Sequence, residues 1–289
     1  MDLILAGLLL WAGLLVWDRI QEGLHYKWDW ASLPQYVVRI EPETGEWMAN
    51  TLLKGLLTTL RLSLWAGLLA TFVGTAAGLC RVSRRLFRRL IGITYVGLIR
   101  NTPPLVLVFI TYFFLSDQIM PLLRLDEVVR SLPPVLQDLV EWVAAPAARA
   151  PLFFSAVVTL AAYEGAYIAE IVRAGIQSVE AGQWEASSAL GFSRRMQMQY
   201  VVLPQAFQRI LPPLAGQFIS TIKDSAILSV ISVQELTFRG QELMASSYLT
   251  FEIWITITLM YFVLTFSCSY LVGRLERAMR RRPSWVGQR

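Results

Sequence analysis

Gly182-Gln183-Trp184-Glu185-Ala186-Ser187-Ser188-Ala189-Leu190-Gly191-Phe192, followed after a basic stretch by Val201-Val202-Leu203-Pro204-Gln205-Ala206, forms a polar interruption between two long apolar blocks. The run from Trp184 to Leu190 is predicted to be a short helix. Gly191 stops it, because glycine takes the left-handed conformation that closes a helix end without penalty. A second helical stretch is expected to follow and to end at Leu203, before Pro204. Trp184, Ala189 and Phe192 stand among small residues, so little bulk would hinder close packing. A compact helix of this kind on a loop suits docking into a groove of another protein.

Outward from this loop the chain is apolar. Of its 289 residues, 55% are hydrophobic and 16% charged, with a mean hydropathy of +0.49. Soluble domains carry about a quarter charged residues. The apolar residues fall into six blocks, roughly Leu3–Trp17, Thr51–Leu79, Leu90–Leu115, Pro151–Val172, Ile210–Val233 and Phe251–Val272. All but the first exceed the ~20 residues a helix needs to cross a bilayer. The first block is short, but no basic segment precedes it and Trp17-Asp18-Arg19-Ile20 is no small-residue cleavage site. It is expected to be a retained anchor helix. An all-α integral membrane protein of about six transmembrane helices follows.

Basic residues orient these helices. Arg81, Arg84, Arg85, Arg88 and Arg89 follow the second block with no acid among them, and Arg274, Arg277, Arg280, Arg281 and Arg282 follow the last. The 173–209 loop adds Arg194 and Arg195, so these three segments are assigned to the cytoplasm. The alternate segments carry Glu22, Asp29, Glu41, Glu43 and Glu46, then Asp117, Asp126, Glu127, Asp138 and Glu141, and are assigned outside. Both termini are then cytoplasmic. Trp28, Trp30, Trp47 and Trp142 fit an outer interfacial belt, and the outer 116–150 loop is expected to be partly helical. A nucleic-acid partner is not implied by the basic pI, since the arginines sit where topology requires them. Cys80 and Cys268 are far apart without a CxxC pair, and His25 is the only histidine, read as exposed or interfacial. No disulfide framework and no metal site is expected.

The spacing Glu185-Ala186-Ser187, Gly191, Val201-x-Leu203-Pro204 resembles the EAA loop of ABC importer permeases. Ser187 stands where that pattern has a second alanine, and Val201 where it has isoleucine. Gly55–Leu60, Arg100-Asn101-Thr102-Pro103-Pro104-Leu105, Ala166–Ile176 and Lys223-Asp224-Ser225 are similar to the polar-amino-acid branch, the histidine, glutamine and glutamate/aspartate permeases. The resemblance covers nearly everything after Asn50. It implies a five-helix type I importer core, here with one extra N-terminal helix. It also implies that Gln183, Trp184, Glu185, Ala186, Ser187, Gly191, Leu203 and Pro204 couple the chain to a separate cytoplasmic ATPase in two copies. A second permease copy or sister subunit and an external solute-binding protein complete the implied assembly, in a bacterial inner membrane. The expected organisation is an anchor helix over 1–20, an external segment over 21–50, the transmembrane domain over 51–273 with its coupling loop at 182–206, and a basic cytoplasmic tail over 274–289. Tyr163–Tyr167 and Arg173–Ser178 most resemble members that handle acidic amino acids.

This chain is expected to hold no cofactor of its own. A P-loop ends in Gly-Lys-Ser/Thr, whereas Lys27, Lys54 and Lys223 are the only lysines and none follows a glycine. ATP and magnesium are therefore assigned to the partner. Within the blocks, ionisable residues are functional candidates, because each costs several kcal/mol unless paired or hydrated. A zwitterionic amino acid needs an anion for its ammonium and a cation for its carboxylate. Glu164 is the candidate for the first and Arg100 or Lys223 for the second, with Asn101, Thr102 and Tyr167 completing the site. The competing reading makes Lys223–Asp224 and Glu170–Arg173 ion pairs that serve only helix packing. Two other functions remain open: a permease for another small polar solute, and an ion-coupled secondary transporter, though neither inverted repeats nor a proton or sodium relay is visible.

Overall fold

The structure, a computed structural model, describes residues 4–5, 7–8, 10–15, 26–41 and 45–280. The ends of the Leu3–Trp17 block, His25 and the last residues of the basic tail lie outside the described residues. Within 4–15 the described residues are helical, and Ile4, Leu5, Leu8, Leu10, Trp11, Leu14 and Leu15 all expose their side chains. Such an apolar exterior suits lipid rather than water.

The first long span is α1, Thr51–Arg81. Asn50 caps it, its side-chain oxygen accepting from the Thr51 N–H at 2.8 Å. Along one face run Leu62, Ala66, Ala70, Gly74 and Gly78, a row at four-residue spacing that becomes smaller toward the C-terminus. Into that row packs α5, Ala150–Gln177. A Cβ on Gly74 would stand 2.6 Å from the Ile168 Cβ, and one on Gly78 would stand 2.8 Å from the Ala169 carbonyl oxygen. The Gly74-x-x-x-Gly78 spacing thus serves packing inside the chain, expected of small residues that let backbones approach.

The third block was expected as one span, Leu90–Leu115, but it is two helices. These are α2, Leu86–Arg100, and α3, Pro104–Phe114, and the chain turns through 113° between them. Pro103-Pro104 is the cause. A residue before proline is driven out of the helical region, and Pro103 accordingly has ψ 133°. Neither proline supplies an N–H to the preceding turn. Short helices follow over 120–130, then α4, Pro134–Val143, all within the outer loop expected to be partly helical.

Beyond α5 come the loop helix α6, Ala181–Ala189, and α7, Leu203–Asp224, then α8, Leu236–Ser247, and α9, Thr250–Arg280. Among the described residues, four helical stretches are each long and apolar enough to cross a membrane, and the bent α2–α3 pair makes a fifth if counted as one span. Leu259, Phe262, Val263 and Phe266 of α9 are exposed, as an outer face toward lipid requires. A two-stranded antiparallel sheet, β1 (Val38–Ile40) with β2 (Trp47–Ala49), leads into α1. Tyr26 and Trp28 pack on Phe251, tying the segment before α1 to the start of α9.

Glu235 joins three helices at the end opposite the arginine-rich turn. It caps α8, accepting from the Thr237 and Phe238 N–H groups at 2.9 and 2.7 Å, and from the Tyr261 hydroxyl at 2.8 Å. Thr59 of α1 donates its hydroxyl to the same carboxylate at 3.4 Å. Burial pushes this carboxyl above the ordinary range, while its donors pull it back. Glu235→Ala should cost about 2–4 kcal/mol, from the lost cap and the lost charge-assisted bond of Tyr261, whose hydroxyl keeps only Thr237 as a partner. A melting curve in detergent measures it, and an unchanged midpoint would show that this junction carries no stability.

Candidate functional site

Halfway along the bundle α5 carries Tyr163, Glu164 and Tyr167. Glu164 is fully buried and accepts a hydrogen bond from the Gln217 amide of α7 at 2.6 Å. Its second oxygen, Oε1, is buried without a hydrogen-bond partner among the described residues. Thr221 and Asp224 of α7 lie within electrostatic reach of the same carboxyl. Burying a carboxylate half-satisfied costs several kcal/mol, so packing alone is a poor reason for it. The Tyr163 and Tyr167 hydroxyls are 3.2 Å apart.

Beside this cluster lies a cavity of about 560 Å³, with Arg100, Tyr167, Glu170, Arg209, Pro213 and Gln217 in its wall. The Arg100 guanidinium sits over the Tyr167 ring at 5.5 Å and lies 3.9 Å from Glu170. Glu170 also pairs with Arg81 and Arg173, so one carboxylate joins α1, α2 and α5. Two prolines inside α7, Pro212 and Pro213, leave carbonyls of the turn before them without donors. Irregular backbone of this kind is tolerated in a membrane where it lines a cavity. The wall thus offers two guanidinium groups, a carboxylate, a phenol and an amide to a small polar solute.

The sequence-derived candidates are not all brought together. Arg100 and Tyr167 line the cavity, and Glu164 stands behind Gln217, whose amide it holds. Arg100 ends α2 at the proline break instead of standing within a continuous helix. Asn101 and Thr102, expected to complete the site, turn back instead: their side chains donate to the Gly97 and Leu98 carbonyls at 2.8 Å each, closing the end of α2. Lys223 is exposed, and neither it nor Asp224 forms an ion pair among the described residues, since adjacent helical residues point about 100° apart. The Glu170–Arg173 pair does form. Gln217, Thr221, Arg81 and Arg209 belong to this region and were missed from sequence. Gln217 had one legible signal, an amide one turn after Pro212-Pro213 in an apolar block.

At the arginine-rich end, α6 begins three residues earlier than expected and ends one residue short, with Leu190 as its C-cap before Gly191. Gly191 has φ +79°. The Phe192 N–H reaches the Ser187 carbonyl at 3.1 Å and the Gly191 N–H the Ser188 carbonyl at 2.9 Å, the paired bonds of a Schellman closure. Ser187 is buried, and Trp184 is half-buried with the Arg194 guanidinium 3.9 Å above its ring. Those two fix α6 to the bundle. Gln183, Glu185, Ala186, Ala189 and Leu190 remain exposed, with Gln183 meeting Gln205 at 3.2 Å. The second stretch does not end at Leu203. A π-helical run, Gln197–Val202, passes straight into α7, and Pro204 sits in the first turn of α7, where no N–H is needed.

A solute-sized polar cavity among spanning helices describes the membrane-embedded part of a permease. The chain belongs to the family of binding-protein-dependent transport system inner membrane components, whose model matches residues 51–281. The glutamine transport system permease protein GlnP of Escherichia coli (strain K12) is 35% identical over 224 residues, covering 76% of this chain and 90% of GlnP. The crystal structure of an amino acid ABC transporter with histidines matches with a TM-score of 0.66 at 31% identity, covering 88% of this chain and all of that one. An inward-facing structure of the MetNI methionine ABC transporter matches with a TM-score of 0.59 at 18% identity, a likeness of fold.

Proposed function

We propose that this chain forms the translocation pathway of an ATP-driven importer for polar amino acids in a bacterial inner membrane, with both termini cytoplasmic. The observation that carries this reading is the half-satisfied Glu164 carboxylate beside a cavity walled by Arg100 and Tyr167, which matches the two charges of a zwitterion. Glu164 receives the ammonium once the Gln217 amide between it and the cavity swings aside, and Arg100 receives the carboxylate. GlnP and the transporter with histidines support amino acids as cargo over other small polar solutes. The exposed side of α6 docks into a separate ATPase, which binds ATP and magnesium and works in two copies. A second permease, identical or sister, completes the pathway, and an external solute-binding protein delivers the cargo.

The test is uptake of labelled amino acids into proteoliposomes holding the chain with its genomic neighbours, with and without ATP. ATP-independent uptake would instead support a gradient-driven carrier. In the same vesicles Glu164→Gln should cut uptake at least tenfold at equal expression, since a charge-assisted hydrogen bond contributes about 1.5–3 kcal/mol. Wild-type uptake with unchanged cargo preference would take Glu164 out of the site.

A further inference from the structure

A second cavity, of about 670 Å³, opens at the opposite end of the bundle from α6. Its walls carry opposite charges. Lys54 and Arg61, two turns apart on one face of α1, stand with Arg149 and with Arg239 of α8, while Asp138 and Glu141, three apart on α4, supply the acids. Among the described residues no cation of this cavity closes an ion pair with Asp138 or Glu141, and the only pair any of them makes is Arg239 with Glu242. The Arg239 Nε is buried without a partner. Arg61 lies about 15 Å along α1 by helical rise, half-buried and with no side-chain hydrogen bond or ion pair among the described residues. Lys54, Asp138, Glu141 and Arg149 are exposed and keep their water, and Arg239 is held by Glu242 and Gln234. The cost falls on Arg61, a half-buried guanidinium well inside a spanning helix, and on the buried Arg239 Nε, and it is relieved when a carboxylate enters the cavity.

We propose that this vestibule binds the free amino acid before it reaches the Glu164 cluster, with the carboxylate toward Arg61 and Arg239 and the ammonium toward Asp138 and Glu141. The site rests on reading the chain as an amino-acid permease whose α4 end faces outward. Neither charge of a zwitterion would then be stripped of partners between the outer solution and the cavity beside Arg100. The acids also exclude a plain anion, since a ligand with only a carboxylate leaves Asp138 and Glu141 repelling it.

Thr58 lines the same cavity, so the test places a thiol there. Thr58→Cys, in a chain with Cys80→Ser and Cys268→Ser, is assembled with its partner subunits in proteoliposomes and labelled from outside with a membrane-impermeant maleimide. Free L-glutamine, without binding protein, should slow labelling, whereas the N-acetyl amide of glutamine, which lacks both charges, should not. Adding Arg61→Gln should raise the half-protecting concentration about tenfold, and Arg61→Lys should keep it within about threefold, which separates lost charge from lost packing. No labelling from outside, or equal protection by the uncharged analogue, overturns the vestibule site. ATP-dependent uptake is measured in the same vesicles: uptake without protection sinks the vestibule alone, whereas absent uptake by the unmodified chain sinks the permease reading beneath it.

Discussion

Leu190→Asp should abolish ATP-driven uptake while leaving the protein folded. Leu190 is 75% exposed at the last turn of α6, and Ala186, one turn before it, is exposed on the same face. Nothing among the described residues covers this apolar tip, so its replacement costs the fold little. In a groove of the ATPase the same leucine would lose its water, worth about 1.5–3 kcal/mol, and a carboxylate would add a desolvation penalty of similar or greater size. Docking should weaken by a hundredfold or more, since each 1.4 kcal/mol is a factor of ten. Co-purification of the ATPase and uptake in vesicles report it together. Gly191→Val is the backbone counterpart: at φ +79° a β-branched residue is strained by about 1–2 kcal/mol, which loosens the Schellman closure without touching the exposed face. It should reduce uptake less than Leu190→Asp does. Full uptake by Leu190→Asp, with the ATPase still bound, would remove α6 from the coupling role.

Gly74→Leu should prevent the protein from being recovered as a folded, monodisperse species. The new Cβ would meet the Ile168 Cβ at 2.6 Å and the Gly165 carbonyl oxygen at 2.7 Å. Neither can swing aside as the tip of a long side chain could, so α1 and α5 must separate. Overpacking of tight sites costs about 1–3 kcal/mol and sometimes more, and this contact, made against backbone, belongs at the upper end. That is a large share of a typical stability of about 5–15 kcal/mol. Gly97→Leu supplies the control, because a Cβ at Gly97 in α2 has nothing within 4 Å; its yield should match the parent. A Gly74→Leu protein that elutes and melts like the parent would show that the two helices have slack the structure does not.

Much of the architecture was legible because membrane proteins obey two strong local rules. Apolar blocks long enough to cross a bilayer must be helical to satisfy their own backbone, and clustered arginines mark one side. These rules located α1, α5, α7 and α9 from composition alone, and the glycine at 191 located the end of α6. The break between α2 and α3 was written in Pro103-Pro104, but the size of the turn depends on what the second helix packs against, here the core around Leu160 and Leu228. Pro204 misled for the opposite reason: a proline can end one helix or open the next, and the π-helical run before it decides which.

The site divides along the same line. Sequence determined which ionisable groups fall within apolar blocks, since a charge there is visible as such, and Glu164 and Arg100 were singled out that way. Only the tertiary structure decided their partners: Gln217 against Glu164, Glu170 against Arg100, Asn101 and Thr102 folded back on their own helix. It alone brought Arg61 across from Asp138 and Glu141, residues far apart in the chain that look like ordinary topology charges when read singly. Local sequence dictates helices because their hydrogen bonds close within four residues, whereas a binding site is made between helices, where the energy depends on which side chains packing brings within a few ångströms.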